Sequence, residues 1–476
     1  LLLKPDFCYC EKVPRPASKK RQSVNLPTPP SLWRTIGPSF ILLGLALGSG
    51  ELLLWPFLAA NYGLGLLWGA LLGVSFQFVL NTEAMRYTLA KGESIFVGFR
   101  RLSILLPIWF ILSTFIPWSI PGFSSASSQI LAQFIPIFST KIVAIGLLLL
   151  TGIILSAGKT LYKTMETIQR NIILIGVPMI ILLTFYLSSM TDWQSAAWGL
   201  IGRGDGWWLF PANIGFFAFL GAFAYSGAGG NLNLAQSYYI KEKGFGMGKG
   251  TQKISSLISG GQQKMYLEGK VFNQTASNNK LWQRWWRLVN IEHFLVFWVL
   301  GFVTIALLSI LAYALVFGQA QAEGISFLYQ EAAIITGRVG PFVGTAFLLL
   351  SAIMLFSTQL GVIESSSRII SENILLLFYR PGKKSNLSAG FYFALWGQIT
   401  LGILVLLSGW QEPRFLITLS AVLNAAAMMI AFPLIYWLNR RELPKLIQAS
   451  WWRKLVMLIA FIFFVIFVAL NIIQNL

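Results

Sequence analysis

Two stretches of this sequence place polar chemistry inside apolar helices. The first is Gly48-Ser49-Gly50-Glu51, three small residues and one carboxylate in the middle of the apolar run from Gly37 to Pro56. The second is Ser226-Gly227-Ala228-Gly229-Gly230, followed by Asn231 and Asn233. Glycine weakens a helix by roughly 0.5–1 kcal/mol relative to alanine, so each cluster is a weak point. Where a helix breaks, main-chain carbonyls lose their partners and can face a cation. Glu51 adds a full negative charge, and Asn231 and Asn233 add amide oxygens. Oxygen donors suit hard ions such as magnesium and intermediate ones such as manganese. Neither sulfur nor imidazole lies near either cluster.

Other polar groups fall in apolar runs further along. Ser357-Thr358-Gln359 is followed by Glu364 and Arg368, which are four apart and can pair on one helical face. That spacing reads first as a neutralised structural pair, with a proton relay as the alternative. Asn81, Glu83 and Arg86 read similarly. Asn424 serves either an inter-helix hydrogen bond or a pathway. The single histidine, His293, is expected in an interfacial structural role. Glu51 differs from all of these because no basic residue is near it in sequence, which favours a functional role.

The elements that must position these groups are membrane spans. The chain of 476 residues is 56% hydrophobic and 11% charged, with long apolar runs throughout. That is the pattern of a polytopic all-α membrane protein; a β-barrel would show short alternating segments. Eleven spans are expected near 37–62, 65–88, 103–133, 141–157, 170–188, 211–240, 292–318, 340–374, 389–409, 415–437 and 453–474. A helix rising from Pro38 would reach Gly48 after roughly 16 Å, about half of a ~30 Å hydrocarbon core. The first interruption and its charge therefore fall near the midplane. One interrupted helix opens each half of the first ten spans, at spans 1 and 6. Paired interruptions of this kind point to an inverted repeat with a substrate site between the halves. The expected organisation is a basic tail over 1–34, a five-helix repeat over 37–188, a second over 211–437 containing the loop 241–290, and an accessory helix over 453–474.

The net charge of +19 follows from the positive-inside rule and not from nucleic-acid binding. Basic residues crowd the N-terminal tail (Lys4, Lys12, Arg15, Lys19, Lys20, Arg21, Arg34) and the loop 241–290 (Lys241, Lys243, Lys249, Lys253, Lys264, Lys270, Lys280, Arg284, Arg287). The opposite loops hold only Lys141, Arg203, Arg338 and Arg414. The N-terminus is thus expected in the cytoplasm and the C-terminus outside. The polar, Pro-rich start reads as no cleaved signal. Cys8 and Cys10 imply neither a disulfide framework nor a zinc site. The run Gly244-Phe-Gly-Met-Gly248 lacks the strand and the lysine–Ser/Thr pair of a phosphate loop and reads as a flexible linker. Trp193, Trp198, Trp207 and Trp208 on one side, and Trp282, Trp285, Trp286, Trp451 and Trp452 on the other, read as interfacial anchors.

With these residues in view, the chain resembles the Nramp-type divalent metal transporters, over nearly everything from residue 31 onward. Gly37-Pro-Ser-Phe opens the first span as it does in that family. Gly48-Ser-Gly-Glu51 stands where the family usually has Asp-Pro-Gly-Asn, and Ala228-Gly-Gly-Asn231 where it has Met-Pro-His-Asn. The runs Gly48-Ser-Gly-Glu-Leu-Leu-Leu-Trp-Pro56, Asn81-Thr-Glu-Ala-Met-Arg-Tyr-Thr-Leu89, Ser357-Thr-Gln-Leu-Gly-Val362 and Leu438-Asn-Arg-Arg441 are similar to a prokaryotic branch of Nramp-related proteins. The resemblance implies a LeuT-type 5+5 inverted repeat with discontinuous helices 1 and 6. It also implies alternating access, import of a divalent metal coupled in many members to protons, and residence in a prokaryotic inner membrane. The family's metal-binding Asp and Asn positions are Gly48 and Glu51 here, its Met is Ala228 and its His is Gly230. Only Asn231 carries over unchanged. The carboxylate has moved by nearly one turn, and the soft thioether that favours transition metals is gone.

The leading expectation is a secondary transporter for Mn2+, Mg2+ or Fe2+, with Glu51, Asn231 and the carbonyls of Gly48 and Ala228 as ligands. Ser49, Gly50, Gly227, Gly230, Asn233, Gln359, Glu364 and Asn424 are the candidate pathway or coupling residues. The ion is substrate, and no cofactor is expected; the partners are the ion, protons and the lipid bilayer. The alternative is a LeuT-fold transporter of an organic solute such as an amino acid or amine, whose carboxylate the N–H groups near Gly229 and Gly230 would hold. A non-transporting scaffold would need the paired breaks to be idle. An enzyme is not expected, because no nucleophile–base pair or metal triad is recognisable.

Overall fold

A computed structural model describes residues 23–157, 161–212, 214–251, 254, 266–319, 324–378, 382 and 384–475. Among the described residues ten helices are long and apolar enough to cross a membrane: Pro38–Tyr62, Leu64–Lys91, Leu106–Ala132, Thr140–Ala157, Leu161–Leu187, Ala276–Val316, Pro341–Leu377, Leu387–Leu407, Pro413–Glu442 and Trp451–Ile473. The sixth of the expected eleven spans is two half-helices, Phe216–Ala224 and Gln236–Lys243, each too short to cross alone. The chain is an integral multi-pass membrane protein, and its described residues form a helix or a pair of half-helices at each of the eleven expected spans. Numbered in chain order, they are spans 1 to 11.

The packing of these spans shows the repeat. Span 1 packs on spans 5, 7 and 8, and span 6 packs on spans 10, 2 and 3. Span 3 touches spans 4 and 10, and span 8 touches spans 9 and 5. The pairs 1–6, 2–7, 3–8 and 4–9 are also in contact. Adding or subtracting five exchanges the other contacts in pairs and maps each of these four onto itself, as a five-helix repeat requires. Span 11 rests on spans 2, 6 and 10, without such a counterpart.

Helix ends follow local chemistry. Pro38 and Pro341 occupy first-turn positions, where a missing N–H is harmless. Glu292, on the helix that becomes span 7, supplies the cap that Gly37 cannot. It accepts from the main-chain N–H of Gly37 at 3.4 Å and of Ser39 at 3.3 Å, and from the Ser39 hydroxyl at 2.6 Å. Span 3 bends between Trp118 and Gly122, beyond Pro117 and before Pro121.

Two sequence expectations change, and one feature is new. The segment Gly246–Gly248 is a buried 3-10 turn, not a flexible linker; a Cβ on Gly246 would lie 2.7 Å from the Leu89 carbonyl. Trp282 and Trp285 are packed inside the protein and not exposed as anchors, Trp285 donating to the Pro27 carbonyl at 2.7 Å and Trp282 stacking on Phe272. The end of the N-terminal segment is docked: Ser23–Val24 pairs in parallel with Val271–Phe272, the only strands among the described residues. Cys8, Cys10, the tail cations from Lys4 to Arg21, Lys253 and Lys264 lie outside the described residues.

Candidate functional site

Spans 1 and 6 meet where each loses regular α-helical geometry. In span 1 the α-ladder gives way to π-type turns over Leu47–Leu54, and the Trp55 N–H bonds the Gly50 carbonyl. The interruption expected at Gly48-Ser49-Gly50 is therefore a widening of the helix. Its physical cause is Thr358 on span 8. The Thr358 hydroxyl accepts from the Gly48 N–H at 2.9 Å and donates to the Gly44 carbonyl at 2.9 Å. In an unbroken α-helix those two groups would bond each other. A side chain inserted into the ladder opens it, and π turns recur at functional sites.

In span 6 the helix is fully interrupted. The first half-helix ends at Ala224, Gly229 and Gly230 take φ of 75° and 50°, and a 3-10 turn resumes over Gly230–Ala235. Side chains tolerate that left-handed backbone poorly. Gln77 on span 2 bridges the gap. Its amide nitrogen donates to the Ala224 carbonyl at 3.1 Å, and its oxygen accepts from the Gly229 N–H at 3.1 Å. The same oxygen accepts from Asn233 at 3.0 Å. One polar side chain from a neighbouring span thus holds each interruption.

The small residues permit close approach. A Cβ on Gly50 would lie 1.7 Å from the Tyr225 carbonyl oxygen, so spans 1 and 6 cross backbone to backbone. A Cβ on Gly48 would meet the Thr358 hydroxyl at 2.6 Å, one on Gly227 the Gln77 oxygen at 2.6 Å, and one on Gly230 the Asn424 amide oxygen at 1.9 Å. The Ser49 hydroxyl bonds back to the carbonyls of Leu45 and Ala46 at 3.3 and 3.0 Å. Ala228 is buried within the break.

Glu51 is completely buried and lies against span 7, where a Cβ on Gly301 would sit 3.6 Å from its Oε1. Neither carboxylate oxygen has a hydrogen-bond partner among the described residues. Asn231 turns its amide nitrogen to span 3, donating to Ser113 at 2.8 Å and Thr114 at 3.0 Å. No hydrogen bond joins Glu51 to Asn231. Asn424 donates to the Tyr225 hydroxyl at 3.2 Å, which in turn pairs with Ser420 at 2.8 Å. The Tyr225 ring stacks on Trp118 at 5.4 Å. The side-chain oxygens of Asn231, Asn233, Gln236 and Asn424 are buried without a donor. Buried polar atoms are normally satisfied, so each of these unpaired oxygens calls for an explanation. A cavity of about 490 Å³ reaches the π segment at Leu54, with Phe57, Arg414 and Thr418 also on its wall.

Two other candidates belong to inter-helix ties. The Gln359 oxygen accepts from the Ser124 N–H and hydroxyl at 3.3 and 3.0 Å, joining span 8 to span 3. Glu364 pairs with Arg368, as their spacing suggested, and accepts from the Tyr239 hydroxyl at 3.0 Å; Arg368 also pairs with Glu242 of span 6. His293 opens the apolar part of span 7 but is buried, 2.7 Å from the Ser39 hydroxyl and stacked between Phe78 and Phe297. Its surroundings fit the structural role expected of it. Sequence reasoning missed Gln77 and the insertion by Thr358. The signal for Gln77 was a lone amide in the apolar first half of span 2. Among the described residues no three acidic, histidine or cysteine side chains form a group able to hold a metal ion.

No protein-family model and no curated protein sequence matches the chain. Solved structures do. A mutant of a manganese transporter from Eremococcus coleocola superposes with a TM-score of 0.65 at 14% identity, covering 96% of this chain and 90% of that one. The same transporter with an aromatic bis-isothiourea compound gives 0.63. Mhp1, a nucleobase-cation-symport-1 family transporter closed on bromovinylhydantoin, gives 0.53 at 14% identity, with 93% of each chain covered. The fold is the LeuT-type fold that these transporters share.

Proposed function

We propose that the chain is a secondary transporter that moves a divalent metal ion across the membrane by alternating access, with Mn2+, Mg2+ and Fe2+ as the candidate ions. The observation that carries this reading is that buried oxygens without donors lie in and beside the interrupted segments of spans 1 and 6. They are both oxygens of Glu51 and the amide oxygens of Asn231, Asn233, Gln236 and Asn424. A buried carboxylate without a partner calls for a cation or a proton. A hard ion that keeps several waters needs few protein ligands, so Glu51, Asn231 and the carbonyls of Gly48 and Ala228 suffice as its protein shell. The fold shared with a manganese transporter supports this reading. Membership of the Nramp-type family is part of it, as are proton coupling through Glu51 and a cytoplasmic face carrying segment 1–34 and loop 241–290.

A second reading, transport of an organic solute, rests on the Trp118–Tyr225 stack beside the break and on the lack of a multidentate acidic cluster among the described residues. Uptake into proteoliposomes separates the two. Mn2+, Mg2+ and Fe2+ are offered singly against labelled amino acids and amines, with the wild type, Glu51→Gln and Asn231→Ala. Ion uptake that both substitutions abolish is the expected result. Uptake of a solute alone, or ion uptake indifferent to Glu51→Gln, sinks the metal assignment.

A further inference from the structure

The end of the bundle that carries the basic loop holds a second polar feature, remote from the crossing of spans 1 and 6. The helix Ala276–Val316 has 41 residues, roughly 60 Å of length, about twice a ~30 Å hydrocarbon core. Its apolar stretch begins at Phe294, so the turns before it stand in the headgroup layer. The helix of span 11 begins at the same level, since Arg453 donates to the Asn290 side chain at 2.6 Å. Between these two helices and the end of span 2 runs a groove of about 680 Å³. Arg86, Arg287, Arg453, Trp286 and Trp452 line its polar part, and Phe294 leads out to the apolar belt.

The charge in this groove is unbalanced. Glu83 takes two bonds from Arg86, at 2.8 and 3.0 Å, and one from Arg453 at 3.3 Å. Two guanidinium groups therefore share one carboxylate, and the hub keeps one net positive charge. Arg287 adds another; it is exposed and has no ion pair among the described residues. The indoles hold the cations in place. The Arg86 guanidinium lies 3.8 Å from the Trp286 ring centre, and that of Arg453 lies 5.0 Å from Trp286 and 4.7 Å from Trp452. Such stacking fixes a guanidinium without neutralising it. On the open side Phe294 and Trp452 are each 42% exposed, a surface suited to acyl chains.

We propose that this groove binds the headgroup of an anionic phospholipid, its phosphate against Arg287 and the positive hub and its chains along Phe294. Basic pockets between spans are sites for anionic headgroups. Inorganic phosphate cannot use the apolar wall, and a zwitterionic lipid brings no net charge to the unbalanced one. The lipid would clamp spans 2, 7 and 11 together.

The test is thermal unfolding of the purified protein in neutral detergent, titrated with phosphatidylglycerol, phosphatidylcholine or inorganic phosphate. Phosphatidylglycerol is expected to raise the melting temperature well above the other two. Arg287→Gln is expected to keep the lipid-free melting temperature, because the side chain makes no ion pair, and to need about five-fold more phosphatidylglycerol for the same shift. Arg287→Lys should recover most of that loss. Arg284→Gln, one turn away and outside the groove, should titrate like the wild type. Equal stabilisation by phosphatidylcholine or phosphate, an unchanged titration for Arg287→Gln, or an equal loss in Arg284→Gln would each overturn the proposal.

Discussion

Replacing Glu51 with leucine tests the site through its energetics. The Glu51 carboxylate is completely buried, with both oxygens unpartnered. Ionised, it would bear the several kcal/mol that an unpaired buried ion costs after relaxation. Protonated, it would still leave polar atoms unsatisfied at ~1–3 kcal/mol each. Leucine has a similar volume and asks for no partner. Apolar replacement of buried ionic groups stabilises by roughly 1–4 kcal/mol, so Glu51→Leu should stabilise the ion-free protein by ~2 kcal/mol. The wild type should gain ~2.7 kcal/mol from a bound ion at about one hundred times its Kd. The variant should gain nothing. Melting curves with and without Mn2+ or Mg2+ read both effects. A lower ion-free melting temperature for Glu51→Leu would mean that the carboxylate has a partner, and the argument from its isolation would fail. An intact ion-dependent shift would place the ion elsewhere. Stability gained as transport is lost is the pattern of a group kept for function.

Four further outcomes follow from the geometry. Thr358→Val removes the inserted hydroxyl and lets Gly44 and Gly48 bond each other; stability should fall by only ~1 kcal/mol while uptake drops sharply, and Thr358→Ser should retain both. Gln77→Leu strands the Ala224 carbonyl and the Gly229 N–H, at ~2–6 kcal/mol for the two, which a melting curve will show as a large loss. Gly50→Ala drives a methyl into the Tyr225 carbonyl and should cost ~1–3 kcal/mol or more, whereas alanine at Gly146, where a Cβ meets nothing within 4 Å, should be tolerated. Glu331, on the helix Ser326–Arg338 between spans 7 and 8, is buried, which raises its carboxyl well above the ordinary 4.5. The folded state then holds the proton that the unfolded state releases, so this group lowers stability as pH rises above 4.5. Glu331→Gln should melt higher than the wild type near neutral pH and converge with it toward acid; parallel curves would refute the assignment.

Much of the fold was legible because a bilayer is a demanding solvent. A span needs a long apolar run whose backbone groups are satisfied almost entirely within the helix, and such runs stand out in the sequence. The break in span 6 was legible for a related reason: Gly229 and Gly230 adopt positive φ, and a run of small residues advertises that freedom. The form of the interruption in span 1 was not. Glycines at 48 and 50 marked a weak point, but whether it unwinds or widens depends on Thr358, more than 300 residues away. Gly44, which accepts the other half of that insertion, carried no signal at all.

The sequence by itself determined that the chain is a polytopic helical membrane protein, that spans 1 and 6 are weak near their middles, and that a lone carboxylate lies at one weak point. Local composition and period carry those facts. Only the tertiary structure decided what each polar group faces. It turned Glu51 toward Gly301 on span 7 and the Asn231 amide nitrogen toward Ser113 and Thr114 on span 3. It committed Glu364 to Arg368 and left the oxygens of Glu51, Asn231 and Asn424 without donors. The physical reason is that a hydrogen bond is made across spans, between residues brought together by the pseudo-symmetric packing of two repeats, and no local pattern encodes which partner arrives.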